Sequence, residues 1–400
     1  MKSGKIILKI PQHSIDELLI YMLILVTSWQ FFMPSTWLDE FVIIVLVAYT
    51  IVQKKAINKN FLILVCTYVV YCSIGLLVNR RISFYSIFIL VDNFKPILLL
   101  VFILELKISK EKLVSVLNFF EIVNIPSLII GIINAVRYNY LHQDLIISTG
   151  TFKDINGVII ERAGGMLGHS GSFSEVCAVL VIITLFHPKQ KFFRWIKIIF
   201  YFIALYFGRG RFPLAIVIIA FCYFAFLNIS KSLRKYLIYL FIFIGVLLSF
   251  PTMQYVMETF STDFENQVRF VALRAIFSLI TNVLLFGVGI GCLGNEKSIL
   301  YNIDLYRALD LIKYGMLDWE SQFAKNLLQT GIVGTVIWYV PFISCLHKVI
   351  KSTGEYKIVT MYMLIFYITN TILNKGYSMP FLVVMCILVA IQLNHQLVAE

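Results

Sequence analysis

Charge is scarce in this chain. Asp, Glu, Lys and Arg make up 14% of its 400 residues, where a soluble domain carries about 25%. Hydrophobic residues reach 60% and mean hydropathy is +0.86. That balance excludes a globular enzyme with a single anchoring tail. Period-two alternation of apolar and polar residues is missing as well, which excludes a membrane β-barrel. The seven cysteines form no CxxC pair and lie mostly inside apolar runs. They read as small buried hydrophobes, not as a disulfide or metal framework. Zinc-ligand spacing, HExxH, a serine nucleophile elbow and a Walker loop are all lacking, so ATP-driven transport is disfavoured. "GVGIGCLG" (287–294) has GxG spacing but no βαβ setting, so it does not signal a nucleotide site. No small-residue cleavage site follows the basic N-terminal "MKSGKIILKIPQH", so the first apolar run is expected to stay as a helix.

What is present is a series of continuous apolar runs, mostly about 15–24 residues, the length that crosses a ~30 Å hydrocarbon core as a helix. Twelve spans are expected, at roughly 18–33, 38–52, 61–78, 86–106, 113–135, 171–186, 193–207, 212–227, 236–250, 322–346, 358–374 and 379–394. The fold class is an all-α polytopic membrane protein of about 12 transmembrane helices, one integral membrane domain over 1–400. Two connections are long: 136–170, and 251–321 between spans 9 and 10. The second includes an expected interfacial helix over 264–280.

Lysines set the orientation. With the N-terminus in the cytoplasm, every inside connection holds three Lys or Arg residues and both termini are cytoplasmic. The net charge of +12 then reflects inside loops facing anionic lipid, and no nucleic acid is implied. Arginines break this pattern. Of eleven, only Arg194 and Arg234 fall inside, while nine fall at the other face, among them Arg80, Arg137, Arg162, Arg209, Arg211, Arg269, Arg274 and Arg307. Topology alone would not sort the two cations apart. Arg offers a rigid fork that grips carboxylate or phosphate through two bonds. An outside arginine cluster therefore points to a phosphate-bearing or acidic ligand, against the plainer reading that some pair with outside carboxylates.

"GRGRFP" (208–213) condenses the question. Gly208 and Gly210 allow a tight bend between two apolar runs, and Pro213 suits the first turn of a helix. Arg209 and Arg211 either reach toward lipid headgroups or line a site. In "NGVIIERAGGMLGHSGSFSEV" (156–176), Arg162 and His169 could face the membrane surface. The alternative pairs Arg162 with Glu161 or Glu175 and leaves His169 solvated. Glu265 and Arg269 are spaced for a helical ion pair. In "DWESQFAKNLLQTGIVGTVIWYVPF" (318–342), Asp318 and Glu320 sit where the long connection re-enters the membrane. Glu320 could take a proton from a sugar hydroxyl, or simply favour a helix N-terminus. Gly331 and Gly334 would let helices approach closely. Asp92 and Lys95 lie inside a span, where charges are functional suspects. Their spacing lets them neutralise each other.

These stretches, in this order, resemble the Wzy-type polysaccharide polymerase and O-antigen ligase superfamily. The matching pieces are "RAGGMLGHSGSFSE", "GRGRFP", "VRFVALRAIFSLITNVLLFGVGIG" and "ESQFAKNLLQTGIVG", within residues 156–345. The resemblance implies a membrane glycosyltransferase of the bacterial cytoplasmic (inner) membrane whose active site faces the periplasm or outside. Its donor would be an undecaprenyl-pyrophosphate-linked glycan. Arg209 or Arg211 and Arg269 would hold the pyrophosphate, with Arg162 and Arg274 as neighbours. Ligases of the superfamily carry a His-Asn pair where this chain has "WESQF". That departure favours a polymerase of O-antigen, capsule or exopolysaccharide repeat units, with Glu320 or His169 as base. The acceptor would be a second lipid-linked repeat unit. No metal or other cofactor is expected, and membrane lipid and a chain-length regulator are candidate partners. A ligase-like transferase is the enzyme alternative. A flippase is the other, but it predicts charges at mid-bilayer on several helices and two related halves. Here only Asp92 and Lys95 qualify, and no inverted repeat is evident.

Overall fold

The computed structural model describes residues 12–29, 38–53, 59–80, 84–106, 108, 110–143, 151–153, 159–167, 169–186, 193–228, 285–293, 298–308, 321–373 and 378–394. The apolar runs form helices, because a helix satisfies its backbone bonds within one segment. In chain order they are α1 (Gln12–Ser28), α2 (Leu38–Val52), α3 (Lys59–Val78), α4 (Phe84–Leu104), α5 (Lys110–Leu141), α6 (Ser170–Phe186), α7 (Arg194–Gly208), α8 (Arg211–Asn228), α9 (Ile299–Ala308), α10 (Gln322–Lys351), α11 (Lys357–Leu373) and α12 (Met379–Asn394). A small hairpin, β1 (Thr151–Lys153) with β2 (Ile159–Glu161), interrupts the helical order. It is antiparallel, with Phe152 opposite Ile160.

Among the described residues, five helices are by length and composition long and apolar enough to cross a membrane: Lys59–Val78, Tyr85–Leu104, Lys112–Leu141, Arg211–Asn228 and Gln322–Lys351, the last of which is interrupted at Gly331. Shorter apolar helices lie at Ser170–Phe186, Lys357–Ile372 and Met379–Leu393. The expected span at 236–250 and the interfacial helix over 264–280 lie outside the described residues. Two helices form the centre. Every residue of α6 from Phe173 to Leu185 is buried, and so is every residue of α12 from Phe381 to Ile391. Around α6 pack α5, α7, α8 and α11; around α12 pack α1, α4 and α11. Large apolar side chains such as Ile63, Val70 and Leu77 of α3 are more than half exposed, as on a face that meets lipid.

α5 runs on to Leu141, past the expected end near 135, so the connection over 136–170 is shorter than expected. That connection also re-enters the bundle. Gly165 takes a positive φ of 53° against Ser127, whose hydroxyl receives the Met166 N–H at 2.9 Å.

The larger departure is in α10. A single span was expected over 322–346, but the helix breaks at Gly331, with φ 67° and ψ −174°. That region is open essentially only to glycine. In a straight helix Phe323 and Tyr339 would lie about 24 Å apart along the axis. Their ring centroids are 6.1 Å apart. Both arms also reach one residue: Gln322 Nε2 donates to Asn93 Oδ1 at 2.7 Å and Trp338 Nε1 to Asn93 O at 2.9 Å. The arm 322–330 therefore folds back beside the arm 332–351. A break frees backbone carbonyls that nothing in lipid could satisfy. Two are met from "GVGIG": Val288 N–H donates to Leu328 O at 2.7 Å and Gly289 N–H to Gln329 O at 3.1 Å. The glycine spacing that resembled a nucleotide loop is a plug for the broken helix.

Candidate functional site

The site is built at the bundle end where α7 stops and α8 begins. α7 ends because Arg209 turns left-handed, at φ 53°, while its N–H closes onto Leu205 O and Tyr206 O. Glycine is the usual residue in that conformation. A side chain there costs roughly 1–2 kcal/mol. The adjoining glycines do a different job from the one expected of them. Neither supplies the positive φ; both make room. A Cβ on Gly208 would lie 2.5 Å from Ser174 Oγ, and one on Gly210 would lie 2.4 Å from Ser174 Cβ. The turn lies flat on the first turns of α6, and Pro213 is buried in the first turn of α8.

The same end gathers Arg162. Just after β2, Ala163 N–H donates to Phe207 O at 3.0 Å, which binds this strand exit to the last turn of α7. Arg162 is half-buried beside the turn. Burial weakens its hold on the proton, and the positive charges of Arg211 and Arg209 weaken it further. Three residues, far apart as 162 and the pair 209 and 211, thus form one cation cluster. Among the described residues neither Arg209 nor Arg211 has a carboxylate within ion-pair distance, and both are exposed.

Glu175 does not serve as the arginines' counter-ion. It is buried on α6, where its carboxylate accepts from Asn370 Nδ2 and from the Ser378 N–H, each at 2.6 Å. Asn370 stands near the end of α11 and Ser378 just before α12. No local pattern signals this contact, which joins residues 195 and 203 positions apart. His169 is exposed just before α6, and its Nδ1 accepts the Gly171 N–H at 3.1 Å. That is a local cap. Glu320, Arg269 and Arg274 lie outside the described residues. Ser321, which follows Glu320 in the chain, is placed: it caps α10, accepting from Ala324 N–H at 3.2 Å, and donates to Ile372 O at 2.6 Å. The last turn of α11 therefore touches both Glu175 and the residue that follows Glu320. Phe212, next to Arg211, packs on Phe366 of α11 with centroids 5.8 Å apart.

Two further charged candidates have partners on their own helices. Asp92 and Lys95 form the expected ion pair at 3.0 Å. Arg307 stands 3.9 Å from Asp304 on an exposed face. Among the described residues no cluster of three His, Cys, Asp or Glu could hold a metal ion, and all seven cysteines are free.

What the cluster can do follows from its chemistry. Guanidinium groups brought together repel one another, and an anion with more than one charged oxygen relieves that repulsion through paired bonds. No curated protein matches the chain. A family model described as O-antigen ligase does match, over residues 196–339, from α7 through the arginine turn to the folded-back helix. The match covers about a third of the chain and is a similarity of this segment to that family.

Proposed function

We propose that the chain is a glycosyltransferase that polymerises undecaprenyl-pyrophosphate-linked repeat units on the outer face of the bacterial cytoplasmic membrane. The convergence of Arg162, Arg209 and Arg211 carries this reading, because a pyrophosphate is a multiply charged anion suited to several guanidinium forks. In the reaction, a hydroxyl oxygen of the acceptor repeat unit bonds to the anomeric carbon of the donor glycan. The bond from that carbon to the pyrophosphate oxygen breaks, and the pyrophosphate leaves with the electron pair, still attached to its lipid. Arginines stabilise the charge that develops on the leaving oxygens, the place where fixed cations lower a barrier most. The acceptor proton passes to a carboxylate, for which Glu320 is the candidate. His169 is the weaker candidate, since its Nδ1 already accepts from Gly171. Arg269 and Arg274 are proposed to complete the anion site from the connection over 251–321.

A transferase that moves finished glycan to another acceptor is the second reading, favoured by the family description. Glu320, standing where the resemblance expects a histidine, supports the polymerase. A gel of surface glycan from a deletion strain separates them. Loss of a polymerase leaves single repeat units on the cell surface. Loss of a ligase leaves long polymer that is made but not attached. A strain lacking the protein with surface polymer of normal length and amount would contradict both.

A further inference from the structure

The arginine turn and the segment around Glu320 belong to different parts of the chain, yet the reaction proposed above needs them at fixed separation. We infer that Glu175 is the positioning residue that sets it, an inference that rests on that proposed reaction. Four contacts form a continuous path. Ser174 packs against the turn, where it sits under Gly208 and Gly210. Its neighbour Glu175 accepts from Asn370 Nδ2 at 2.6 Å and from Ser378 N–H at 2.6 Å. Two residues after Asn370, Ile372 O accepts from Ser321 Oγ at 2.6 Å. Ser321 is covalently next to Glu320. Glu175 thus ties α6, which carries the arginine turn, to the end of α11, which holds the start of α10, and to the start of α12.

A buried carboxylate with two donors fixed on two other helices is costly to misplace, because each donor would then lose its partner in a site closed to water. Both carboxylate oxygens are used, so the joint resists rotation as well as separation. The residue touches neither donor nor acceptor glycan in this account. Its effect is on geometry, and small misplacements of reacting groups cost up to about 100-fold in rate.

The test uses full-length protein in proteoliposomes with lipid-linked repeat units. Asn370→Asp removes the amide donor and sets a second carboxyl group against Glu175, so turnover should fall about 10- to 100-fold with the donor KM nearly unchanged. Adding Glu175→Gln restores a donor, because the new amide donates to residue 370 and still accepts from Ser378 N–H. The double variant should recover turnover. A second readout does not need the reaction: spin labels at Tyr206 and Ile372, both exposed, should give one narrow distance in the wild type, a broad one in Asn370→Asp, and a narrow one again in the double variant. Wild-type turnover and distance in Asn370→Asp, or a double variant no better than the single, would overturn the inference. If the wild-type protein makes no polymer, the reaction is wrong, and the spin-label distances alone decide whether Glu175 is the anchor.

Discussion

Arg209 occupies a backbone conformation that glycine adopts without strain, with φ at 53°. Strain held at a single residue is a pointer to function. Replacing Arg209 with glycine should leave thermal stability unchanged or slightly raised, since relieved strain and added chain entropy nearly offset, while polymer formation falls. An arginine kept only for folding would give the reverse: lower stability and normal product. Arg211→Lys and Arg162→Lys keep charge but lose the fork. Charge-assisted hydrogen bonds contribute about 1.5–3 kcal/mol, so each should lower kcat/KM for the lipid-linked donor about 10- to 100-fold, read in the same proteoliposome assay.

At the scale of elements, the close approaches make sharp demands. Gly210→Ala would drive a methyl group to 2.4 Å from Ser174 Cβ, and overpacking costs about 1–3 kcal/mol. Its melting temperature in detergent should drop, and Ser174→Gly in the same chain should restore most of the loss, because it removes the opposing atom. Gly331→Ala should lower stability without a comparable rescue, since the barrier there is backbone conformation at φ 67° and not crowding. The contrast shows what could be read from sequence. The long apolar runs announced their helices, and Asp92 with Lys95 announced their pairing, because both signals are local. Gly331 gave the opposite outcome. It was expected to let helices approach, together with Gly334. Gly334 does sit against Thr330 and Tyr71, but Gly331 breaks the helix. The break depends on Val288 and Gly289, more than forty residues upstream in the chain, and no local pattern reports such a bond. Glu175 was hidden for the same reason.

For the whole molecule, the uneven sorting of arginine and lysine is the feature that ties fold to function. In the expected topology lysine lies on the cytoplasmic side, while arginine gathers on the face where a ligand is proposed. The arginine-bearing end is proposed to face outside the cytoplasm. Alkaline phosphatase fused after Gln143 should therefore be active, and fused after Ser352 inactive; the reverse pattern would turn the site toward the cytoplasm and exclude the proposed donor. Part of the cluster was legible in the sequence as a shared face for Arg162, Arg209 and Arg211. Its closeness was not, because that depends on Ala163 bonding to Phe207 O. The most direct measurement is chain growth by purified protein in proteoliposomes supplied only with undecaprenyl-pyrophosphate-linked repeat units. The account predicts a ladder of lengthening glycan from the wild type and single units from the protein with Arg209→Lys and Arg211→Lys together, at equal protein level. A full ladder from that double variant would contradict it.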